Sequence, residues 1–129
     1  MTESTGIIET IAGTGDEGYS EGYSGDNGPA TSATFAYPSS VAVDSSGKKT
    51  NQSSYIVSVT NYYYLHSLGD VYIGDGDNDN ARVRKLTVST GILTTVAGTG
   101  SDGYSGDGGQ ATAAELDGAY AIALDSSGG

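Results

Sequence analysis

Residues 91–100 read Gly-Ile-Leu-Thr-Thr-Val-Ala-Gly-Thr-Gly, and residues 6–15 read Gly-Ile-Ile-Glu-Thr-Ile-Ala-Gly-Thr-Gly. A second stretch, Gly-Tyr-Ser-Gly-Asp, follows each of them, at residues 22–26 and again at 103–107. The two stretches therefore recur in the same order along the chain. A supersecondary unit copied in this way predicts a repeat architecture, in which each unit buries its apolar face against a neighbour.

The composition limits the size and chemistry of the protein. The chain has 129 residues, which suits one small domain, and it contains no Cys, so disulfides, thiolate metal sites and a Cys nucleophile are excluded. The net charge is −11, with 16 acidic against 5 basic residues, and we expect no nucleic-acid partner because such a surface repels phosphates. No signal peptide and no membrane-spanning segment is visible, and the compartment is not indicated.

Short apolar runs separated by clusters of Gly, Asp, Asn and Ser predict antiparallel strands. The predicted strands are Ile7–Ala12, Ser40–Asp44, Val71–Ile73, Arg82–Val88, Ile92–Ala97 and Tyr120–Leu124. The alternation of the fourth run slips by one residue near Leu86, which is compatible with a β-bulge there. Ser89-Thr90-Gly91 suits a hairpin turn with a bulge. The long loops at 13–39 and 98–119 each contain a helix-compatible piece, residues 30–36 and 111–116.

The segment 48–69 differs from the rest of the chain. It has no acidic residue and contains the only histidine, His66. Its removal would join Asp44 and Gly47 to the strand at Val71 through a tight turn, as a hairpin requires. Two explanations stay open: a long surface insertion, which loops tolerate, and a retained intron.

Four parts of the chain carry a resemblance to a known family. Residues 41–47, 71–75, 80–86 and 91–98 together resemble an NHL repeat, and residues 103–112 resemble the glycine-rich linker between such repeats in the teneurin-like and bacterial multi-repeat branch. The resemblance implies an all-β fold, a β-propeller whose blades are four-stranded antiparallel sheets around a channel.

The same resemblance implies a division of the chain into three parts. Residues 1–38 would hold the outer strand of a preceding blade and a linker, residues 39–97 a complete blade, and residues 98–129 a second linker and the first strand of the next blade. One blade with two flanking strands cannot close a ring, so we expect a partial, open propeller whose partners include the remaining blades of a larger one.

The family pattern also implies residues with structural roles at the turns of the blade. They are Asp44, Gly47, Tyr72, Asp75, Asp77, Asn80, Arg82, Gly98 and Gly100. Either Asp75 or Asp77 can take the acidic position of the turn before Arg82. Tyr23 and Tyr104 occupy equivalent positions in the repeat, and we expect each to pack its loop onto a blade.

Asp75, Asp77 and Asp79 alternate in the manner of calcium ligands. An EF-hand requires Gly and Glu at the positions of Asn80 and Leu86, so that site is excluded, whereas a weaker Ca²⁺ site of another kind stays a candidate. The alternative is a polar turn whose side chains cap backbone groups.

No catalytic residue and no cofactor is predicted. The Gly13-x-Gly15-x-x-Gly18 and Gly98-x-Gly100-x-x-Gly103 motifs are followed by more glycine rather than by the helix that a dinucleotide requires. With one histidine, no cysteine and no G-x-S-x-G motif, a nucleophilic triad cannot be assembled. We therefore expect a protein that is not an enzyme.

These features predict a non-catalytic interaction scaffold, part of an NHL-type propeller that binds a protein or a carbohydrate through loops on one rim. Blades hold loops in place while leaving their chemistry free to vary. The alternatives are a fragment of a propeller enzyme of the lactonase or lyase kind, and a truncated gene model without independent function.

Overall fold

The computed structural model describes residues 9–15, 23–44, 69–76 and 80–125. The five strands of this part of the chain are β1 (Gly28–Pro29), β2 (Pro38–Val43), β3 (Val71–Asp75), β4 (Arg82–Thr87) and β5 (Ile92–Ala97). The two predicted helical pieces are single 3₁₀ turns at Ala30–Ser32 and Ala111–Ala113.

The strands form one open antiparallel sheet in the order β1-β5-β4-β3-β2. The all-β prediction is confirmed. Strands β2 to β5 are neighbours in the sheet in the order in which they follow along the chain, which is the simplest meander. The sheet has five strands rather than the expected four, because Gly28 and Pro29 pair with Leu93 and Ile92 at its outer edge.

The core lies on one face of the sheet. Val71 pairs with Leu86 and Leu86 with Leu93, so the three side chains form a row across the sheet. Ala30 and Ala33 pack on this row, and all five residues are buried. The alternation of the strands therefore places one apolar row under the loop that precedes β2.

The predicted bulge near Leu86 is in the wrong place. In the pairing of β4 with β5, Val83 lies opposite Ala97 and Arg84 opposite Thr95, so the extra residue is Val96. Leu86 keeps a regular register because it is buried between Val71 and Leu93, and a slip there would turn its side chain away from the core. The bulge lies instead near the open end of the β4–β5 hairpin, away from its turn.

The first and last predicted strands are corrected as well. Residues 9–12 and 120–124 form no strand with any described segment. Ile7 and Ile8 lie outside the described residues. A strand needs a hydrogen-bonded neighbour. Both runs have the sequence pattern of a strand, but neither has a paired strand beside it among the described residues.

Of the segment 48–69, only Gly69 lies within the described residues. Val43 pairs with Val71, and the Asp44 N–H donates to the Asp70 carbonyl at 2.8 Å. The intervening residues thus connect adjacent ends of two paired strands. Both explanations of the segment, insertion and retained intron, stay hypotheses.

Candidate functional site

Two loops of the chain are built alike. We call residues 23–36 the first loop and residues 104–117 the second loop. In the first, Gly28 N–H donates to the Gly25 carbonyl at 3.1 Å; in the second, Gly109 N–H donates to Gly106 at 2.9 Å. The sequence repeat is therefore also a repeat of backbone structure.

Each loop is also attached to the strand-like segment before it in the same way. Gly13 N–H donates to the Ala30 carbonyl at 2.9 Å, and Gly98 N–H donates to the Ala111 carbonyl at 3.0 Å. These bonds hold the 3₁₀ turn of each loop beside a repeated Gly-Thr-Gly. The chain therefore approaches the 3₁₀ turn of each loop in the same way.

Glycine is required at one position of each loop. Gly25 has φ +86° and Gly106 has φ +101°, in the left-handed region that side chains disfavour. A Cβ atom at either residue would lie 2.7 Å from the Cα of Ala33 or of Ala114. The close approach of the two arms of each loop therefore excludes any side chain there.

A side-chain contact closes each loop. The hydroxyls of Ser24 and Thr34 lie 2.8 Å apart in the first loop, and the Ser105 hydroxyl donates to Glu115 Oε2 at 3.0 Å in the second. In both loops, therefore, a contact between side chains at equivalent positions joins the two arms of the loop.

The first loop is held onto the sheet by Arg84 of β4. The Arg84 side chain is fully buried. Its Nη1 donates to the Thr34 carbonyl at 2.8 Å, and its Nη2 donates to the Ser24 carbonyl at 2.7 Å and to Asp26 Oδ1 at 3.0 Å. One guanidinium thus joins both arms of the loop to the strand beneath.

Asp75 of β3 is the second buried charge at this junction. Its Oδ1 accepts the Ala36 N–H at 2.8 Å, and its Oδ2 lies 3.6 Å from Arg84 Nη1. Burial raises the pKa of Asp75 above its ordinary value, although the N–H groups of Ala36 and Tyr37 and the charge of Arg84 act in the opposite direction. The desolvation of this carboxyl group is therefore only partly compensated.

Arginine side chains also pack on the aromatic rings of the first loop. The guanidinium carbon of Arg82 lies 3.5 Å from the centroid of the Tyr23 ring, and that of Arg84 lies 5.1 Å from the same centroid. Arg84 also lies 4.9 Å from the Phe35 ring centroid. Tyr23 is thus shared by two cations.

Arg82 is oriented by polar partners as well. Its Nη1 donates to the Asn80 side-chain oxygen, and its Nη2 donates to the Thr99 carbonyl at 2.6 Å. Gly100, at φ +87°, approaches the guanidinium so closely that a Cβ atom there would collide with it. Of the residues with implied structural roles, Asn80, Arg82 and Gly100 therefore lie together.

The second loop has no such arginine. Tyr104 is 89% exposed, so the prediction that it packs on a blade is wrong, whereas Tyr23 does pack on β4 through Arg82. Asp107 is exposed, and neither it nor Glu115 forms an ion pair with a described residue. Among the described residues, no cation covers the second loop as Arg82 and Arg84 cover the first.

The remaining predicted residues lie elsewhere. Tyr72 is on the opposite face of the sheet, with Lys85 Nζ 5.5 Å from its ring centroid; that ammonium also pairs with Asp70 at 2.8 Å. The hydrogen bond that the Lys85 ammonium donates to the Asp70 carboxylate raises the pKa of Lys85. Gly98 packs against the Ala81 carbonyl.

The calcium hypothesis is only partly within the described residues. Asp77 and Asp79 lie outside them, as do Gly47 and His66. Asp75 faces Ala36 and Arg84, and the described ranges contain no group of three acidic or histidine side chains placed to hold a metal ion. A calcium site formed by Asp75, Asp77 and Asp79 stays a prediction.

Sequence reasoning missed the role of Arg84. The register places Arg84 on the same face of the sheet as the core residue Leu86. The sequence did contain a signal for this position. Arg84 lies two residues before the core residue Leu86, and side chains two residues apart in a strand lie on the same face of the sheet.

Comparisons of the chain with models of protein families, with curated proteins and with solved structures found no match. Within the described ranges, no helix has the length and apolar character needed to cross a membrane.

Proposed function

We propose that this chain is a non-catalytic interaction scaffold, part of an NHL-type β-propeller that binds a protein or a carbohydrate through its loops. The observation that carries the proposal is the second loop. Two backbone hydrogen bonds within it, from Gly109 to Gly106 and from Ala114 to Ala111, are the same as in the first loop, yet Tyr104 is 89% exposed.

The chemistry of the second loop favours recognition. Tyr104 offers a flat amphipathic ring, and the exposed Asp107 carboxylate of the same loop adds a charged acceptor. Tyrosine is enriched in interfaces because it supplies contact area with few rotatable bonds. A loop already held in one conformation loses little entropy when a partner binds.

The sheet supports the architectural part of the proposal. Four strands that follow one another along the chain, β2 to β5, form a single antiparallel meander, which is the connectivity of a propeller blade. In that arrangement the second loop would lead from one blade towards the next, on a rim where loops are accessible.

Titration of the ¹⁵N-labelled full chain tests the proposal. Neutral oligosaccharides and peptides of different charge are added one at a time, and backbone amide shifts are recorded. We expect at least one class to give saturable shifts within residues 103–117. Tyr104→Ala should weaken that binding about five- to tenfold, the range expected for loss of an aromatic anchor.

Tyr120→Ala is the matched control, because Tyr120 is also an exposed tyrosine, at 59%, but lies outside the second loop. It should leave the affinity unchanged. If neither class of ligand gives saturable shifts, or if the binding survives Tyr104→Ala, the proposal is contradicted.

A further inference from the structure

We propose that the second loop is a receptor for arginine: it binds the guanidinium groups of an Arg-x-Arg strand on a partner unit. This inference rests on the proposed scaffold function and names the chemistry of its partner. It is carried by the first loop, which has the same 3₁₀ turn and glycine turn as the second loop and has its arginines in place.

The acceptor set of the first loop defines what an arginine needs there. Arg84 is held by the Ser24 and Thr34 carbonyls and by the Asp26 carboxylate, beside the Tyr23 ring. The corresponding groups of the second loop belong to Ser105, Glu115, Asp107 and Tyr104. Three of the four residues are identical, and the fourth, Glu for Thr, adds a carboxylate.

The acceptors of the second loop are available. The Ser105 carbonyl accepts one hydrogen bond, from Glu115 N–H at 3.2 Å, and a carbonyl oxygen has a second lone pair. Asp107 is exposed, and Tyr104 is 89% exposed, whereas Tyr23 is covered by Arg82 at 3.5 Å.

The backbone of the second loop offers a further binding edge. In the first loop, Asn27 N–H donates to the Leu93 carbonyl at 2.8 Å and Ala30 N–H donates to the Gly91 carbonyl at 2.9 Å. The equivalent amides, of Gly108 and Ala111, have no such partner among the described residues.

Burial differs between the two loops accordingly. Ala30 is 2% exposed, but Ala111, its equivalent, belongs to the exposed residues. The partner therefore has the form of a hairpin in which an arginine-bearing strand lies beside an outer strand, as β4 lies beside β5.

Charge favours the same partner. No basic residue occurs between Lys85 and Gly129, whereas Asp102, Asp107, Glu115 and Asp117 all lie in or beside the second loop. A planar guanidinium can stack on the Tyr104 ring while its five N–H donors point to acceptors in the plane of the group, whereas an ammonium group has three donors and no flat face to stack. The receptor is thus expected to prefer arginine over lysine.

The test uses the ¹⁵N-labelled full chain and a peptide with the sequence of residues 81–85, acetyl-Ala-Arg-Val-Arg-Lys-amide. The control peptide, acetyl-Ala-Lys-Val-Lys-Lys-amide, carries the same charge. We expect saturable shifts at residues 104–107 and 115 in the millimolar range, and binding of the lysine peptide about three- to tenfold weaker.

Two variants and one matched control assign the binding to the receptor. Tyr104→Ala and Asp107→Asn should each weaken binding of the arginine peptide about three- to tenfold. Asp102→Asn removes the same charge outside the acceptor set and should change the affinity less than about twofold. All three positions are exposed, so the variants leave the core intact, and an unchanged spectrum outside the loop verifies it.

The inference is overturned if the arginine peptide shows no saturation up to about 10 mM. A dissociation constant above that concentration corresponds to a binding free energy weaker than about 3 kcal/mol. It is also overturned if the lysine peptide binds equally well, or if the shifts lie outside the second loop. When an oligosaccharide or another peptide still binds there through Tyr104, only the arginine inference fails; when nothing binds there, the scaffold proposal fails too.

Discussion

At the scale of single residues, the junction between sheet and first loop depends on one buried cation. Arg84 is fully buried and joins two carbonyls and two carboxylates. Removing one member of a buried ionic group leaves the others desolvated and unpaired, which costs far more than the loss of an exposed pair. Arg84 is therefore expected to matter more to stability than any other charged residue of the described sheet.

Arg84→Met tests this role. We expect the free energy of unfolding to fall by about 3 kcal/mol, because Asp75 and Asp26 lose their cation. Arg82→Met is the matched control: Arg82 packs on the same Tyr23 ring but forms no ion pair with a described residue, so its loss should cost about 1 kcal/mol. Urea denaturation followed by circular dichroism measures both, and equal losses would contradict the assigned role.

The pH dependence of stability tests the buried carboxyl group of Asp75. Burial raises the pKa of Asp75 above its ordinary 3.8, so the folded chain binds this proton more tightly than the unfolded chain does. The contribution of Asp75 to stability is therefore complete below pH 3.8 and is lost as the pH rises through the folded-state pKa.

Asp75→Asn should remove that dependence, because the amide resembles the protonated acid. The stability of the Asn variant relative to the unsubstituted chain should therefore improve as the pH rises from about 3 to about 7. Urea midpoints over this range provide the measurement. The opposite result, in which the Asn variant loses stability relative to the unsubstituted chain as the pH rises, would contradict this. It would mean that the Arg84 charge outweighs burial and lowers the pKa of Asp75.

At the scale of elements, the strands could be predicted and the loops could not. The runs at 71–73, 82–88 and 92–97 are rich in apolar and β-branched residues and lie between turn signals, and each coincides with a strand of the structure. The run at 120–124 is also apolar and is not a strand, because local pattern does not supply a pairing neighbour. The pairing of Gly28 and Pro29 with β5 had no local signal, since it depends on the loop reaching across the sheet.

The candidate site was predictable only as a repeat. The duplicated Gly-Tyr-Ser-Gly-Asp marked both loops, but the different surroundings of Tyr23 and Tyr104 follow from tertiary contacts with Arg82 and Arg84. No property of the repeated pentapeptide itself distinguishes the copy that the arginines contact from the copy that they do not.

Gly25→Ala tests the close approach within the first loop. Gly25 and Gly91 both have positive φ, +86° and +71°, but a Cβ atom would lie 2.7 Å from Ala33 Cα at Gly25 and meet nothing within 4 Å at Gly91. Gly91→Ala should cost about 1 kcal/mol through backbone strain alone. Gly25→Ala should cost about 2–3 kcal/mol, because the collision adds to the strain. Equal unfolding midpoints would show that the loop arms can separate.

At the scale of the whole molecule, one edge of the sheet has no partner strand among the described residues. Within the described sheet, β2 has one neighbour, β3, and its Val41 and Val43 are 57% and 49% exposed. Such an edge is a site for pairing with another chain unless a charge or a bulge interrupts it. The register shift between Pro38 and Ser40 protects only one end of β2.

Val43→Lys should therefore weaken self-association of the chain. We expect the dissociation constant of the self-associated form to rise about tenfold, which corresponds to about 1.4 kcal/mol. Thr112→Lys adds the same charge at an exposed position of the second loop, away from the edge, and is the control. Sedimentation velocity over a range of concentrations measures the effect, and an equal effect of both variants would indicate that only net charge matters.

The two loops share a backbone turn structure and differ in what surrounds them. Amide hydrogen exchange of the full chain measures this directly, residue by residue. We predict that the Asn27 and Ala30 amides, bonded to Leu93 and Gly91, exchange at least about a hundredfold more slowly than their equivalents at Gly108 and Ala111. Equal exchange at the two pairs of amides would contradict the covered first loop and the open second one together.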